Sequence, residues 1–181
     1  MNIRNFTLAV LAAATLAGSS ARAEEKPKAV VAVDVPWRLR PSGSYSWFAF
    51  GLEWEFPFAG MSGFINPSLE NPVNGSPLNI GGDIGVRFYP LSAVPRVFYI
   101  GPYIGGTWIN ATRVSTSLGV QIEGRVGVLL GLSLLLGDMF LVSAGVGGEY
   151  YNIHELLQDG SFVQTNQNLG TVIRASVGFA F

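Results

Sequence analysis

The sequence has no cysteine, a single histidine and only two lysines, Lys26 and Lys28. The missing cysteine excludes a disulfide scaffold, a thiolate metal site and the lipidated cysteine of a bacterial lipoprotein. One histidine excludes a histidine-rich metal centre. A formal net charge of −1 leaves no basic face for nucleic acid. Charged residues make up 13% of the chain and hydrophobic ones 49%, with 23 glycines and 10 prolines. The mean hydropathy of +0.36 is high for a soluble domain. At 181 residues there is room for one domain, enough to bury a core or close one barrel.

Met1 to Ala23 reads as a secretory signal peptide. Arg4 supplies the positive start, Phe6 to Gly18 an apolar stretch shorter than a membrane span, and Ala21-Arg22-Ala23 the small-residue cleavage pattern. Cleavage leaves residues 24–181 as one mature domain with a net charge of −3, expected to be exported through the periplasm. A second apolar stretch, residues 126–148, has the length of a membrane helix. Six glycines inside it and the turn-like Leu136-Gly137-Asp138-Met139 argue against that helix and for two strands.

The dominant period is two. Between residues 45 and 58, Phe48, Phe50, Leu52, Trp54, Phe56 and Phe58 alternate with a face holding Glu53 and Glu55. Leu78, Ile80, Ile84, Val86 and Phe88 oppose Asp83, Arg87 and Tyr89. Val120, Ile122, Val126, Val128 and Leu130 oppose Glu123, Arg125 and Gly127. Phe140, Val142, Val146 and Tyr150 oppose Ser143, Gly145 and Glu149, and Leu169, Ile173, Val177, Phe179 and Phe181 oppose Arg174, Ser176 and Gly178. Val31, Val33, Val35, Trp37 and Leu39 alternate with Asp34, Arg38 and Arg40. Phe98, Ile100, Ile104 and Trp108 alternate with Tyr99, Gly101, Tyr103 and Thr107.

No charge falls on an apolar face. A soluble sandwich also alternates, but its exposed faces carry many Lys, Ser and Thr. Here the opposite faces are rich in Gly beside charges of both signs, and the apolar faces carry Phe and Trp near strand ends, as an aromatic girdle does. The pattern predicts an all-β fold: an antiparallel, up-and-down transmembrane β-barrel with a packed polar interior, embedded in outer-membrane lipid. Strands in lipid must close on themselves. Eight candidates are expected, at 30–40, 44–56, 61–65, 78–90, 96–109, 117–135, 139–152 and 168–181. Residues 57–60, 90–95 and 136–138 are expected as short periplasmic turns. Residues 41–43, 66–77, 110–116 and 153–167 are expected as outer loops, the second and fourth of them long.

The chain ends Ser176-Val177-Gly178-Phe179-Ala180-Phe181. A terminal Phe on an alternating strand resembles the signal that bacterial outer-membrane barrels offer to their assembly machinery. Gly85-Val86-Arg87-Phe88-Tyr89-Pro90, Phe98-Tyr99-Ile100-Gly101-Pro102-Tyr103, the hairpin at Leu135-Leu136-Gly137-Asp138 and the final strand extend the resemblance. The mature chain is similar to the small bacterial outer-membrane β-barrel proteins of the eight-stranded type, among them a barrel family of unknown function. The resemblance implies a monomeric outer-membrane barrel, with Phe179 and Phe181 as its assembly signal. It implies no catalytic residues and no cofactor.

Asp34, Glu53, Glu55, Asp83, Glu123 and Glu149 are expected to face the lumen, with Arg38, Arg40, Arg87, Arg125 and Arg174. An eight-stranded barrel is just wide enough inside for its own side chains. Buried charges must pair, so the expected interior is a salt-bridged plug. The expected function is a structural or surface-interaction role, through residues 66–77 and 153–167. The alternatives are a narrow passive pore and a lipid-directed hydrolase centred on His154, with Glu155, Asp159 and Ser161 in the same loop. Glu70, Glu155 and Asp159 are too sparse for a calcium site. Gly81-Gly82-Asp83-Ile84-Gly85 and Gly145-Val146-Gly147-Gly148 lie inside strands with no following helix, so they are not phosphate loops.

Overall fold

Strands whose two faces meet different surroundings hold their register, since a slip of one residue turns every side chain to the wrong side. Here eight such strands pair antiparallel in chain order, and the last returns to the first. The computed structural model describes residues 29–39, 47–58, 61–72, 78–90, 97–110, 117–137 and 139–181. The strands are β1 (Val30–Leu39), β2 (Trp47–Phe58), β3 (Met61–Pro72), β4 (Asn79–Phe88), β5 (Val97–Asn110), β6 (Ser117–Leu136), β7 (Phe140–Leu157) and β8 (Phe162–Ala180). The expected signal peptide lies outside the described residues.

The seam runs from Val30 opposite Ala180 to Leu39 opposite Thr171. Ala29 and Phe181 fasten its end by reciprocal backbone hydrogen bonds of 2.9 and 3.0 Å. Pairing followed once round the barrel, from Ser176 through Asp34 and on to Ile153, returns to β8 at Asn166, a stagger of ten residues. Such a stagger tilts the strands by roughly 40° from the barrel axis. Residues 126–148 form parts of β6 and β7 around a turn in which Gly137 takes φ +60°. No helix among the described residues is long and apolar enough to cross a membrane.

Two expected loops are largely strand. β3 runs to Pro72, not to Ile65, so 66–72 is not an outer loop. Asn66, Ser68 and Glu70 point inward and are buried, while Ile65, Pro67 and Leu69 point outward. Prolines and polar residues hid an alternation that continues unbroken. Likewise β7 runs to Leu157 and β8 begins at Phe162, so the expected 153–167 loop shrinks to a turn at 158–161. Leu157 and Ser161 close it by a 2.9 Å backbone hydrogen bond, and Gly160 takes φ +82°. With 20, 18 and 19 residues, β6 to β8 outreach the 10 of β1. Residues 162–170 therefore rise beyond Leu39 at the end of the barrel away from the termini, here the far end.

The outer surface is apolar. Ile65, Ile84, Ile104, Val126, Leu130, Val146 and Ile173 are exposed around its middle. Trp37, Trp108 and Tyr150 are exposed toward the far end, and Phe88, Phe140 and Phe179 toward the near end. Phe140 and Phe179, paired across β7 and β8, meet edge to face at 5.6 Å. Among the described side chains, no Asp, Glu, Lys or Arg occupies an outward strand position.

Candidate functional site

The strand period of two aims one residue in two at the lumen, and the lumen collects the charges. Arg38 on β1 donates to Asp83 of β4 at 2.8 Å, to Glu70 of β3 at 3.3 Å and to Glu149 of β7 at 3.3 Å. Arg125 on β6 donates to the other oxygen of Asp83 at 2.8 Å, to Glu70 at 2.9 Å and to Glu123 at 3.3 Å. It also donates to the Thr107 hydroxyl and, at 3.3 Å, to the Gly82 carbonyl. Two guanidinium groups thus share Asp83 and Glu70, the planar fork of Arg letting each reach several carboxylates. Neutral donors complete the carboxylates: Thr107 to Glu70 at 2.9 Å, Ser68 to Glu70 at 3.1 Å, Tyr103 to Glu149 at 2.7 Å. Both arginines and all four acids are at most 4% exposed.

A second, smaller group ties the seam. Arg174 on β8 donates to Asp34 on β1 at 2.8 Å, and Asn66 donates to the same carboxylate oxygen at 2.6 Å. Toward the near end the lumen turns aromatic and then aliphatic. Phe64, Tyr89, Tyr99, Tyr103, Leu129 and Val172 form one buried cluster. The guanidinium of Arg87 lies 5.1 Å from the Phe64 ring centre and 4.8 Å from that of Tyr99, and Arg174 lies 4.9 Å from Phe64. Val30, Ala32, Leu141 and Ala180, backed by Leu135, form a second buried cluster at the near end. Glycine makes room for the rings: a Cβ on Gly145 would come within 2.6 Å of the Tyr99 hydroxyl, and one on Gly127 within 2.6 Å of the Tyr103 ring.

Of the lumen charges expected from sequence, Asp34, Arg38, Asp83, Arg87, Glu123, Arg125, Glu149 and Arg174 are buried inside the barrel. Arg40 lies outside the described residues, as do the side chains of Glu53 and Glu55 on β2. Sequence reading missed Glu70, which touches both arginine hubs from a segment taken for a loop. It also named no inward apolar layer, although Phe64, Leu129 and Leu141 sit there.

The residues of the hydrolase alternative are not assembled. His154 and Glu155 are consecutive on β7 and so point to opposite faces. Asp159 and Ser161 stand in the exposed turn, where the Ser161 hydroxyl and N–H both donate to Asp159, at 2.6 and 2.9 Å. Those bonds hold the Asp159 carboxyl below its ordinary pKa. Among the described residues, no group of three or more His, Cys, Asp or Glu could hold a metal ion.

No protein-family model matches this chain, and neither does any curated protein. Among solved structures it is similar to a major outer membrane protein from Thermus thermophilus. The identity is 12%, the match covers 84% of this chain and 99% of that one, and the TM-score is 0.37.

Proposed function

We propose that this chain is a monomeric, integral barrel of the bacterial outer membrane whose lumen is sealed by its own charges, and that it serves as a scaffold rather than a conduit or an enzyme. The observation that carries the reading is the pair of arginine hubs, which tie β1, β3, β4, β6 and β7 together across the lumen. Below them, among the described side chains, lie a cluster of rings and a cluster of aliphatic groups. Among the described residues, the element that meets a partner is the protruding end of β6 to β8 with its turn at 158–161. The closing strand, with Phe179 and Phe181, is the segment offered to the assembly machinery.

The test is conductance in a planar bilayer. A sealed lumen gives no current steps above the bare membrane at any holding potential. Stable, uniform steps from the unmodified protein would replace the scaffold by a narrow pore.

Membrane embedding makes a separate prediction. Ile104→Arg places a charge in the middle of the outer belt, where Ile104 is 59% exposed. In lipid this costs about 2–4 kcal/mol near the bilayer midplane. Phe162→Arg, on the protruding part of β8, is expected to cost less than about 1 kcal/mol. Urea unfolding of both variants in lipid vesicles measures the difference, and equal costs would place both positions in the same solvent.

A further inference from the structure

The outward surface carries a trough whose place follows from the strand register. On β3 to β6 the outward residues Pro67, Gly82, Gly106 and Gly124 stand rung to rung. The row on the far side of them is Leu69, Ile80, Trp108 and Ile122, and the row on the near side is Ile65, Ile84, Ile104 and Val126. Between Ile65, Pro67, Gly82, Ile84 and Ile104 the trough is a cavity of about 400 Å³. Its floor is backbone: a Cβ on Gly82 would lie 3.0 Å from the Asn66 carbonyl oxygen and 3.3 Å from the Pro67 Cα. The two walls stand about 13 Å apart at the backbone; the cavity itself lies on β3, β4 and β5, and the register carries its glycine row on to Gly124 of β6. Once the wall side chains have taken their share, the width suits one hydrocarbon chain.

The stagger of the barrel makes each row climb toward the far end as it passes from β3 to β8. The trough therefore rises obliquely, and its rows continue on β7 and β8 as polar pairs, Asn152 with Gln167 and His154 with Gln164. Asn152 leans its amide oxygen over Gly124, where a Cβ would meet it at 2.9 Å. Gln167 accepts hydrogen bonds from the Tyr150 hydroxyl at 2.9 Å and from Gln164 at 2.6 Å. An apolar trough that ends in hydrogen-bonding side chains has the layout of an amphiphile.

We propose that this trough seats one acyl chain of a membrane phospholipid, with the headgroup among Asn152, His154, Gln164 and Gln167. The inference rests on the membrane reading above. Within an apolar belt the surrounding solvent is hydrocarbon, and a groove left empty there forfeits its wall contacts. The polar upper end selects a chain that carries a headgroup over a bare hydrocarbon.

The test is native mass spectrometry of the chain refolded into phosphatidylethanolamine and phosphatidylglycerol vesicles, then moved to detergent. The unmodified barrel is expected to carry one phospholipid. Gly106→Leu fills the middle of the trough and is expected to lower the lipid-bound fraction about tenfold. An added Cβ there comes within 3.0 Å of the Glu123 carbonyl, so folding is at risk. Gly124→Leu displaces only the end of Asn152 and is expected to give the same loss. Different migration of boiled and unboiled protein on a gel reports that the barrel has formed. With that difference present, a lipid-free barrel, equal retention by the folded variants, or a dimer in place of the lipid adduct overturns the trough alone. Without it, the membrane reading fails first and the trough falls with it.

Discussion

Arg125→Met is expected to lower the unfolding free energy by about 3–5 kcal/mol, the usual result of removing one partner from a buried charge pair. Arg125 holds Glu70, Asp83 and Glu123 from one guanidinium. Methionine keeps much of the volume and removes all three ion pairs, leaving Asp83 and Glu70 buried with half of their arginine contacts, those to Arg38. Urea unfolding in micelles, followed by tryptophan fluorescence, reads the loss. A second variant isolates the cause. In an Arg125→Met background, Glu123→Gln removes a buried carboxylate that has lost its bond to Arg125 and is expected to recover part of the stability, whereas the same Gln alone destabilises. A loss below about 1 kcal/mol for Arg125→Met would mean that the network is solvated like a surface salt bridge.

The second large effect is expected one layer lower. Tyr99→Ala opens a cavity in the aromatic cluster and is expected to cost about 3–5 kcal/mol, while Tyr99→Phe keeps the ring and stays within about 1.5 kcal/mol. Tyr99 is 1% exposed, its ring centre is 6.1 Å from that of Tyr89, and Arg87 stacks on it. The glycine beneath makes the claim sharper. Gly145→Ala overpacks against the Tyr99 hydroxyl and is expected to cost about 1–3 kcal/mol. In a Tyr99→Ala background most of that cost is expected to vanish, because the two residues meet directly. Additive costs would separate Gly145 from Tyr99 and leave its small size to some other neighbour.

Where one face of a strand turns to the apolar outer surface and the other to the lumen, the sequence carries the fold openly. The phases of β4, β6, β7 and β8 are readable from alternation, and so are the inward Asp83, Glu123, Arg125, Glu149 and Arg174; in β5, where glycines and a proline interrupt both faces, the phase is less clear. Two places break the signal for different reasons. Around Asn66-Pro67-Ser68-Leu69-Glu70 the alternation is intact, but Pro67 and Pro72 lack the N–H that a ladder uses, and residue types favoured in turns masked the period. Glu70 was lost with them. In the upper part of the β7–β8 hairpin there is no apolar face to read. Gln164, Asn166, Gln167 and Asn168 sit where the strands have risen beyond β1, held extended by the backbone ladder with side-chain bonds such as Gln164 to Gln167. The period of two is a signal of burial contrast, so it fades where both faces meet the same solvent.

The pairing inside the lumen was not legible at all. Alternation says that a side chain points inward, and nothing local says what it meets there. Arg38 meets Glu149 across 111 residues, and Arg174 meets Asp34 across 140. Those distances in sequence are set by closure of the barrel and by its stagger, which fix which inward positions share a level.

The missing cysteine makes the central claim directly measurable. Single cysteines introduced at the outward positions 126, 128, 130 and 132 of β6, and at position 158 in the exposed turn, can each carry a spin label in lipid vesicles, and the accessibility of each label to oxygen and to a water-soluble nickel chelate can be compared. A lipid-embedded belt gives free oxygen access and no nickel access at the four β6 positions, and nickel access at 158. Nickel access at the β6 positions equal to that at 158 would contradict a lipid-embedded barrel.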